Sequence, residues 1–180
     1  MKPQVIIIRG PSGVGKSSVS HVLSDILKKK IKRIAYIPSD VSIYPFMRNY
    51  FKLSKKERGE IAQENLEMIF ENFLRRKFAI IIDGIFHGKY KKETHLERLF
   101  NMAKKHKAKT IVFELHAHLE TLNKRVKKRA KENKYAWTNP KDIEYRYKGF
   151  MKSLYKDAVV INTENKSANE VVKEILKRLR

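Results

Sequence analysis

Val5-Ile6-Ile7-Ile8-Arg9-Gly10-Pro11-Ser12-Gly13-Val14-Gly15-Lys16-Ser17-Ser18 decides how the rest of the chain is read. Four consecutive apolar residues, Val5 to Ile8, fit a short strand buried on both faces, as inside a parallel sheet. Gly10 to Ser17 then follows G-x-x-x-x-G-K-[ST], the P-loop pattern. Glycines at that spacing let the backbone curl, so that successive N–H groups point into one hollow and approach phosphate oxygens closely. The helix predicted directly afterwards turns its positive end to the same anion. This reading puts Gly10, Pro11, Ser12, Gly13, Val14, Gly15, Lys16, Ser17 and Ser18 around nucleotide phosphates. Lys16 reaches the β- and γ-phosphates, and the Ser17 hydroxyl holds Mg²⁺.

Outward from that stretch, strands and helices alternate. Helical spacing of Val19, Val22, Leu23, Ile26 and Leu27 predicts a helix from Ser17 to Lys30. Its end, Lys28-Lys29-Lys30, reads as a solvated helix terminus, where cations suit the dipole. Strands are predicted at 33–37, 78–84, 109–115 and 158–161. Helices are predicted from the Ser54–Glu57 capping-box spacing to about Lys77, over 92–107 and 119–134, from Asn139-Pro140 to about Tyr155, and after Ser167–Glu170.

The chain has 180 residues, which suits one domain, 1–180, with a single sizeable core. No apolar run of about 18 residues is present, so no membrane span is expected. Met1-Lys2-Pro3-Gln4 runs straight into the first strand and leaves no room for a signal peptide. The absence of cysteine rules out disulfide-linked partners and makes a soluble cytoplasmic protein the expectation. Lys and Arg number 41 against 19 acids, a net charge of +22. Such an excess points to a polyanionic partner, most simply RNA or DNA, or else to a surface merely rich in lysine.

Four places carry further chemistry. Asp40 follows the second strand, where open α/β sheets put ligands, and suits a general base for an attacking hydroxyl; a helix cap is the plain alternative. Asp83 ends the apolar run 78–82 and suits a magnesium ligand, or an Asp that fixes the Gly84 turn. Arg125 and Arg129, four apart, share one helix face and suit a lid over transferred phosphate, or a solvated basic face. Tyr44, Phe46, Tyr50 and Phe51 interleave with Arg48 and Lys52, which suits either a small helical core or acceptor contacts, chiefly Arg48 and Tyr44. The six histidines lack zinc-ligand spacing.

On the P-loop, Asp40, Leu122-Asn123-Lys124-Arg125-Val126-Lys127-Lys128-Arg129 and Pro140-Lys141-Asp142-Ile143 through Tyr147 to Met151, the chain resembles small P-loop kinases. Its likeness is to the group of polynucleotide 5′-hydroxyl kinases, zeta toxins and chloramphenicol phosphotransferase, and within it to polynucleotide kinase. That resemblance implies a three-layer α/β P-loop NTPase fold with a five-stranded parallel sheet, order 2-3-1-4-5, and a helical lid at about 119–150. It implies ATP and Mg²⁺ as cofactors, Lys16, Asp40, Arg125 and Arg129 as catalytic residues, and a base-binding loop near 162–165. One departure is that Ile43 stands where the group often has an arginine three residues after the base. The expected activity is transfer of the γ-phosphate to a hydroxyl, first the 5′-OH of RNA or DNA. The alternatives are a small-molecule kinase for a nucleoside, nucleotide, sugar nucleotide or antibiotic, and a nucleic-acid-binding NTPase without an acceptor.

Overall fold

The structure is a computed structural model that describes residues 4–42, 52–90, 93–132 and 140–179. The elements in order are β1 (Gln4–Arg9), α1 (Lys16–Leu27), β2 (Ile34–Pro38), a 3-10 turn (Ser39–Ser42), α2 (Lys55–Arg75) and β3 (Ala79–Gly84). There follow β4 (Lys89–Tyr90), β5 (Glu93–Thr94), α3 (His95–Lys105), β6 (Lys109–His116), α4 (Leu119–Glu132), α5 (Pro140–Met151), β7 (Val159–Asn162) and α6 (Ala168–Arg178).

The main sheet has the order β2-β3-β1-β6-β7, and every pairing in it is parallel. Counted along the sheet strands alone, that is the expected 2-3-1-4-5. β1 lies in the middle, which is why Val5, Ile6, Ile7 and Ile8 are all buried. The pleat sends alternate residues to opposite faces. Ile6 and Ile8 meet Val19 and Leu23 of α1, Leu122 and Val126 of α4, and Val171, Val172 and Ile175 of α6. Val5 and Ile7 meet Leu66, Phe70 and Leu74 of α2 and Leu96, Leu99 and Ala103 of α3. Each buried Val, Leu, Ile or Phe among them contributes roughly 1.5–3 kcal/mol by leaving water. The three layers of this α/β P-loop fold follow from that alternation.

Three helices start on reciprocal caps. Ser54 and Glu57 exchange backbone-to-side-chain bonds of 2.9 and 3.2 Å at α2. Ser167 and Glu170 do so at α6, at 2.8 and 3.3 Å. A third capping box, Thr94 with Glu97 at α3, went unread in the sequence. There the residues just before the helix form the short β4–β5 hairpin, so α3 begins at His95 rather than Lys92. The helix expected to reach Tyr155 stops at Met151, because the carbonyl of Ser153 turns to the Arg9 guanidinium instead of continuing the helix.

Arg9 and Glu114 form a buried ion pair at 3.1 Å at the carboxyl ends of β1 and β6. Arg9 also donates to the Ser153 carbonyl (2.8 Å) and hydroxyl (3.0 Å) and lies over the Phe150 ring. Glu114 accepts the Tyr155 N–H at 2.9 Å. The chain leaving α5 is thereby fastened to the residue that precedes the P-loop.

Candidate active site

The P-loop lies beyond the carboxyl end of β1, between β3 and β6. Gly13 has φ +83°, and a Cβ there would stand 2.8 Å from Val126 Cγ2 and 3.0 Å from the Leu122 carbonyl oxygen. Only glycine lets the loop press this closely on α4. Gly15 caps α1 with φ +99°, a left-handed conformation that favours glycine even though a Cβ there would meet nothing. Lys16 Nζ donates to the Pro11 carbonyl at 3.0 Å, which holds the ammonium over the loop. Burial lowers the Lys16 pKa to about 8; Asp83 and Asp40 pull it up, and Arg129 and Arg146 push it down.

Asp83 ends β3 almost fully buried. Tyr36, in the middle of β2, donates its hydroxyl to Asp83 Oδ2 at 3.0 Å, and Ser17 also hydrogen-bonds to Asp83. Burial raises the Asp83 pKa, while the Lys16 ammonium and those two hydroxyls hold it down. A hydroxyl and a carboxylate side by side, next to a phosphate cradle, are hard oxygen donors of the kind Mg²⁺ takes. A Cβ at Gly84 would meet the Phe86 ring at 2.5 Å, so the close approach of that ring needs glycine there.

Asp40 is exposed, inside the 3-10 turn directly after β2 and not at the start of an α-helix. Its charge acts on both Lys16 and Asp83. The structure therefore brings Lys16, Ser17, Asp40 and Asp83 to one end of the sheet.

Arg125 and Arg129 of α4 diverge. Arg125 donates to Thr163 Oγ1 (3.1 Å) and to the Thr163 carbonyl (2.7 Å), on the loop after β7. Arg129, one turn further along α4, is the one whose charge reaches Lys16. The charge of Arg146 on α5 acts on Lys16 too, and no motif in the sequence marks that position. Tyr44 and Arg48 lie outside the described residues.

Lys16, Ser17, Arg125 and Arg129, but not Asp40, Asp83 or Arg146, border a cleft of about 330 Å³ running from Gly13–Val19 under Val126 to Thr163, Lys166, Ala168 and Val171. Its P-loop end offers backbone N–H groups and cations. Its far end, with Val126, Ala168 and Val171, suits an apolar planar ring. The loop 162–165 is braced there. Thr163 is buried and bonds the His116 carbonyl through both N–H and hydroxyl, while Glu164 accepts the His118 N–H and the Thr121 hydroxyl at the start of α4. Among the described residues no helix is long and apolar enough to cross a membrane.

A guanylate kinase of Mycoplasma mobile is 27% identical over 189 aligned positions, covering 96% of this chain and 90% of that protein. A kinase candidate from Chloroflexus aurantiacus superposes with a TM-score of 0.71 at 18% identity, over 100% of both chains. A chain of the Pnkp1/Rnl/Hen1 RNA repair complex superposes with a TM-score of 0.61 at 17% identity, over 84% of this chain and 45% of that one. A family model, AAA_33, described as an AAA domain, matches residues 5–143, from β1 through the P-loop, Asp40, Asp83, Arg125 and Arg129. On that match the chain belongs to the AAA domain family, and it is built as a P-loop kinase.

Proposed function

We propose that this protein is an ATP-dependent phosphotransferase acting on a hydroxyl, with the 5′-OH of RNA or DNA as acceptor. Asp40 carries the reading: an exposed carboxylate one turn past β2, close enough for its charge to act on Lys16. A phosphate acceptor is already anionic and attacks without a base, whereas a hydroxyl must lose its proton as the new O–P bond forms. Asp40 takes that proton while the bond from the γ-phosphorus to the β-bridging oxygen breaks and ADP leaves with the electron pair. Residues Gly10–Ser18 cradle the phosphates. Lys16, Arg129 and Arg146 offset the charge that builds on the transferred group. Arg125 and Thr163 border the base end of the cleft. Ser17 and Asp83 would hold Mg²⁺, which when bound neutralises the β- and γ-oxygens. The net charge of +22 favours a nucleic-acid acceptor over a neutral metabolite.

The guanylate kinase relative favours a second reading, a nucleotide as acceptor through its phosphate. One assay separates them. Labelled ATP and Mg²⁺ are supplied with a 5′-OH RNA oligonucleotide, its 5′-phosphate form, nucleosides and nucleoside monophosphates, with Asp40→Asn in parallel. The proposal expects label on the 5′-OH oligonucleotide alone and a fall of about 10²–10⁴-fold in Asp40→Asn. Label on a nucleoside monophosphate, untouched by Asp40→Asn, would sink it in favour of the second reading.

A further inference from the structure

In a parallel sheet, a helix that crosses directly from one strand to the next ends at the amino ends of the strands. α1, α2 and α3 do this before β2, β3 and β6, and α6, packed on α1, ends there too. Strand register ties these ends together: Ile34 is opposite Ala79, Val5 opposite Ile80, and Gln4 opposite Lys109. Arg33 also donates to the Arg76 carbonyl at 3.3 Å. One face of the molecule, opposite the P-loop cleft, is therefore made of stretches 28–33, 75–79, 104–109 and 177–179.

These stretches contain five, three, four and two Lys or Arg residues in turn, all exposed, and not one Asp or Glu. Helix dipoles do not account for that. Each helix C-terminus presents about half a negative charge, so four helix ends call for roughly two cations. Nearby acids neutralise little more. Asp25 pairs with Lys28, and Glu71 pairs with Lys105 and His106. Among the described residues no other ion pair involves these stretches. A shallow groove of about 690 Å³ opens on this face, lined by Phe100, Asn101, Lys104, Lys107 and Lys109.

We infer that this face is a docking surface for the phosphate backbone of a nucleic acid, separate from the phosphoryl-transfer cleft. The separation is one strand length, about 20 Å for β1 at 3.3 Å per residue. An anionic membrane fits less well. Stable membrane attachment takes an apolar anchor besides a basic patch, and the large exposed apolar side chains, Met68, Tyr145, Met151, Leu154 and Val160, all lie outside these stretches. The inference does not depend on the acceptor, since a body of RNA held here leaves the cleft open to any substrate.

Fluorescence anisotropy with a 20-nucleotide single-stranded RNA across a salt series tests it. One variant carries Lys29→Gln, Lys77→Gln, Lys107→Gln and Lys109→Gln. The control removes the same charge with Lys89→Gln, Lys152→Gln, Lys156→Gln and Lys173→Gln. The first variant is expected to bind at least 30-fold more weakly near 0.1 M salt and to flatten the log–log salt slope by about 2–3, at roughly 0.7 per lost phosphate contact. The control should change binding by less than about threefold. Equal losses in both variants would overturn the inference and leave only diffuse charge. Tighter binding to vesicles containing phosphatidylserine than to the RNA would also overturn it. Lys16→Met should leave docking intact. If docking maps to this face while no oligonucleotide is phosphorylated, the acceptor assignment fails and the docking surface stands.

Discussion

The helices of this protein begin and end in opposite ways. Those that start with a capping box, α2, α3 and α6, have an N-cap N–H and an N3 N–H each meeting one side-chain oxygen. At the other end of the sheet, α1, α2, α3 and α6 finish among exposed cations that far outnumber the carboxylates within a turn of them. Cations near the cleft behave like the caps. Arg9 has Glu114 and Ser153, Lys16 has Pro11, and Arg125 has Thr163. The net charge of +22 is thus two populations, one fixed by buried partners and one exposed, with few carboxylates beside it. Bulk charge alone does not locate either population on the fold.

The largest expected effect is at the fixed end. Arg9→Met leaves the buried Glu114 carboxylate without its partner and should lower unfolding stability by about 3–5 kcal/mol in urea titrations. Arg9→Met with Glu114→Leu should recover most of that, and Lys77→Ala at the solvated end should stay within about 0.5 kcal/mol. Equal losses at both ends would erase the distinction.

Next in size, Lys16→Met should cut kcat/KM for phosphoryl transfer by about 10²–10³-fold in steady-state assays while circular dichroism is unchanged. A drop in RNA anisotropy of the same size would mean that the two ends are not independent.

A pH series sharpens the same contrast. In the unliganded protein the Lys16 ammonium titrates at about 8, and phosphate contact holds its proton to higher pH. Affinity for a non-hydrolysable ATP analogue should be level well below pH 8. It should then fall by up to tenfold per unit as pH rises above 8, by calorimetry from pH 6.5 to 9.5. Lys16→Met should remove the slope.

The smallest effect compares the two ends of one helix. Thr94→Ala should destabilise the protein by about 1 kcal/mol through the lost α3 cap. Lys105→Ala at the other end of α3, in an exposed pair with Glu71, should change stability by less than about 0.5 kcal/mol. Thermal unfolding of the two variants side by side would show whether that order is reversed.

The P-loop was legible because its requirement is local: glycines at fixed spacing, then lysine and serine. The buried strands were legible because burial on both faces demands unbroken apolar runs, as in Ile80–Ile82. Strand order entered through family resemblance, since nothing in a run such as 109–115 names its neighbours. The missed features share one property, distance along the chain. Arg9 next to a glycine reads as an exposed strand end, and its partner Glu114 becomes visible only once β1 and β6 are paired. Arg125 and Arg129 read as one face of one helix, yet Thr163, 38 residues from Arg125, separates them. Tyr36 read as one more strand residue until β3 brought Asp83 beside it. The β4–β5 hairpin, two residues per strand, is too short to show a period.

The Arg9 contact also sets a lever ratio. It grips the chain at Phe150 and Ser153, just where α5 ends, and so acts as a fulcrum. α5 has 12 residues and is about 18 Å long at 1.5 Å per residue. A tilt of about 10° about that fulcrum would carry its far end through about 3 Å, but Arg146, closer in, through less than about 2 Å. Arg146, close to the pivot, would therefore keep its distance to Lys16 almost constant under such a tilt, much as a door moves least beside its hinge.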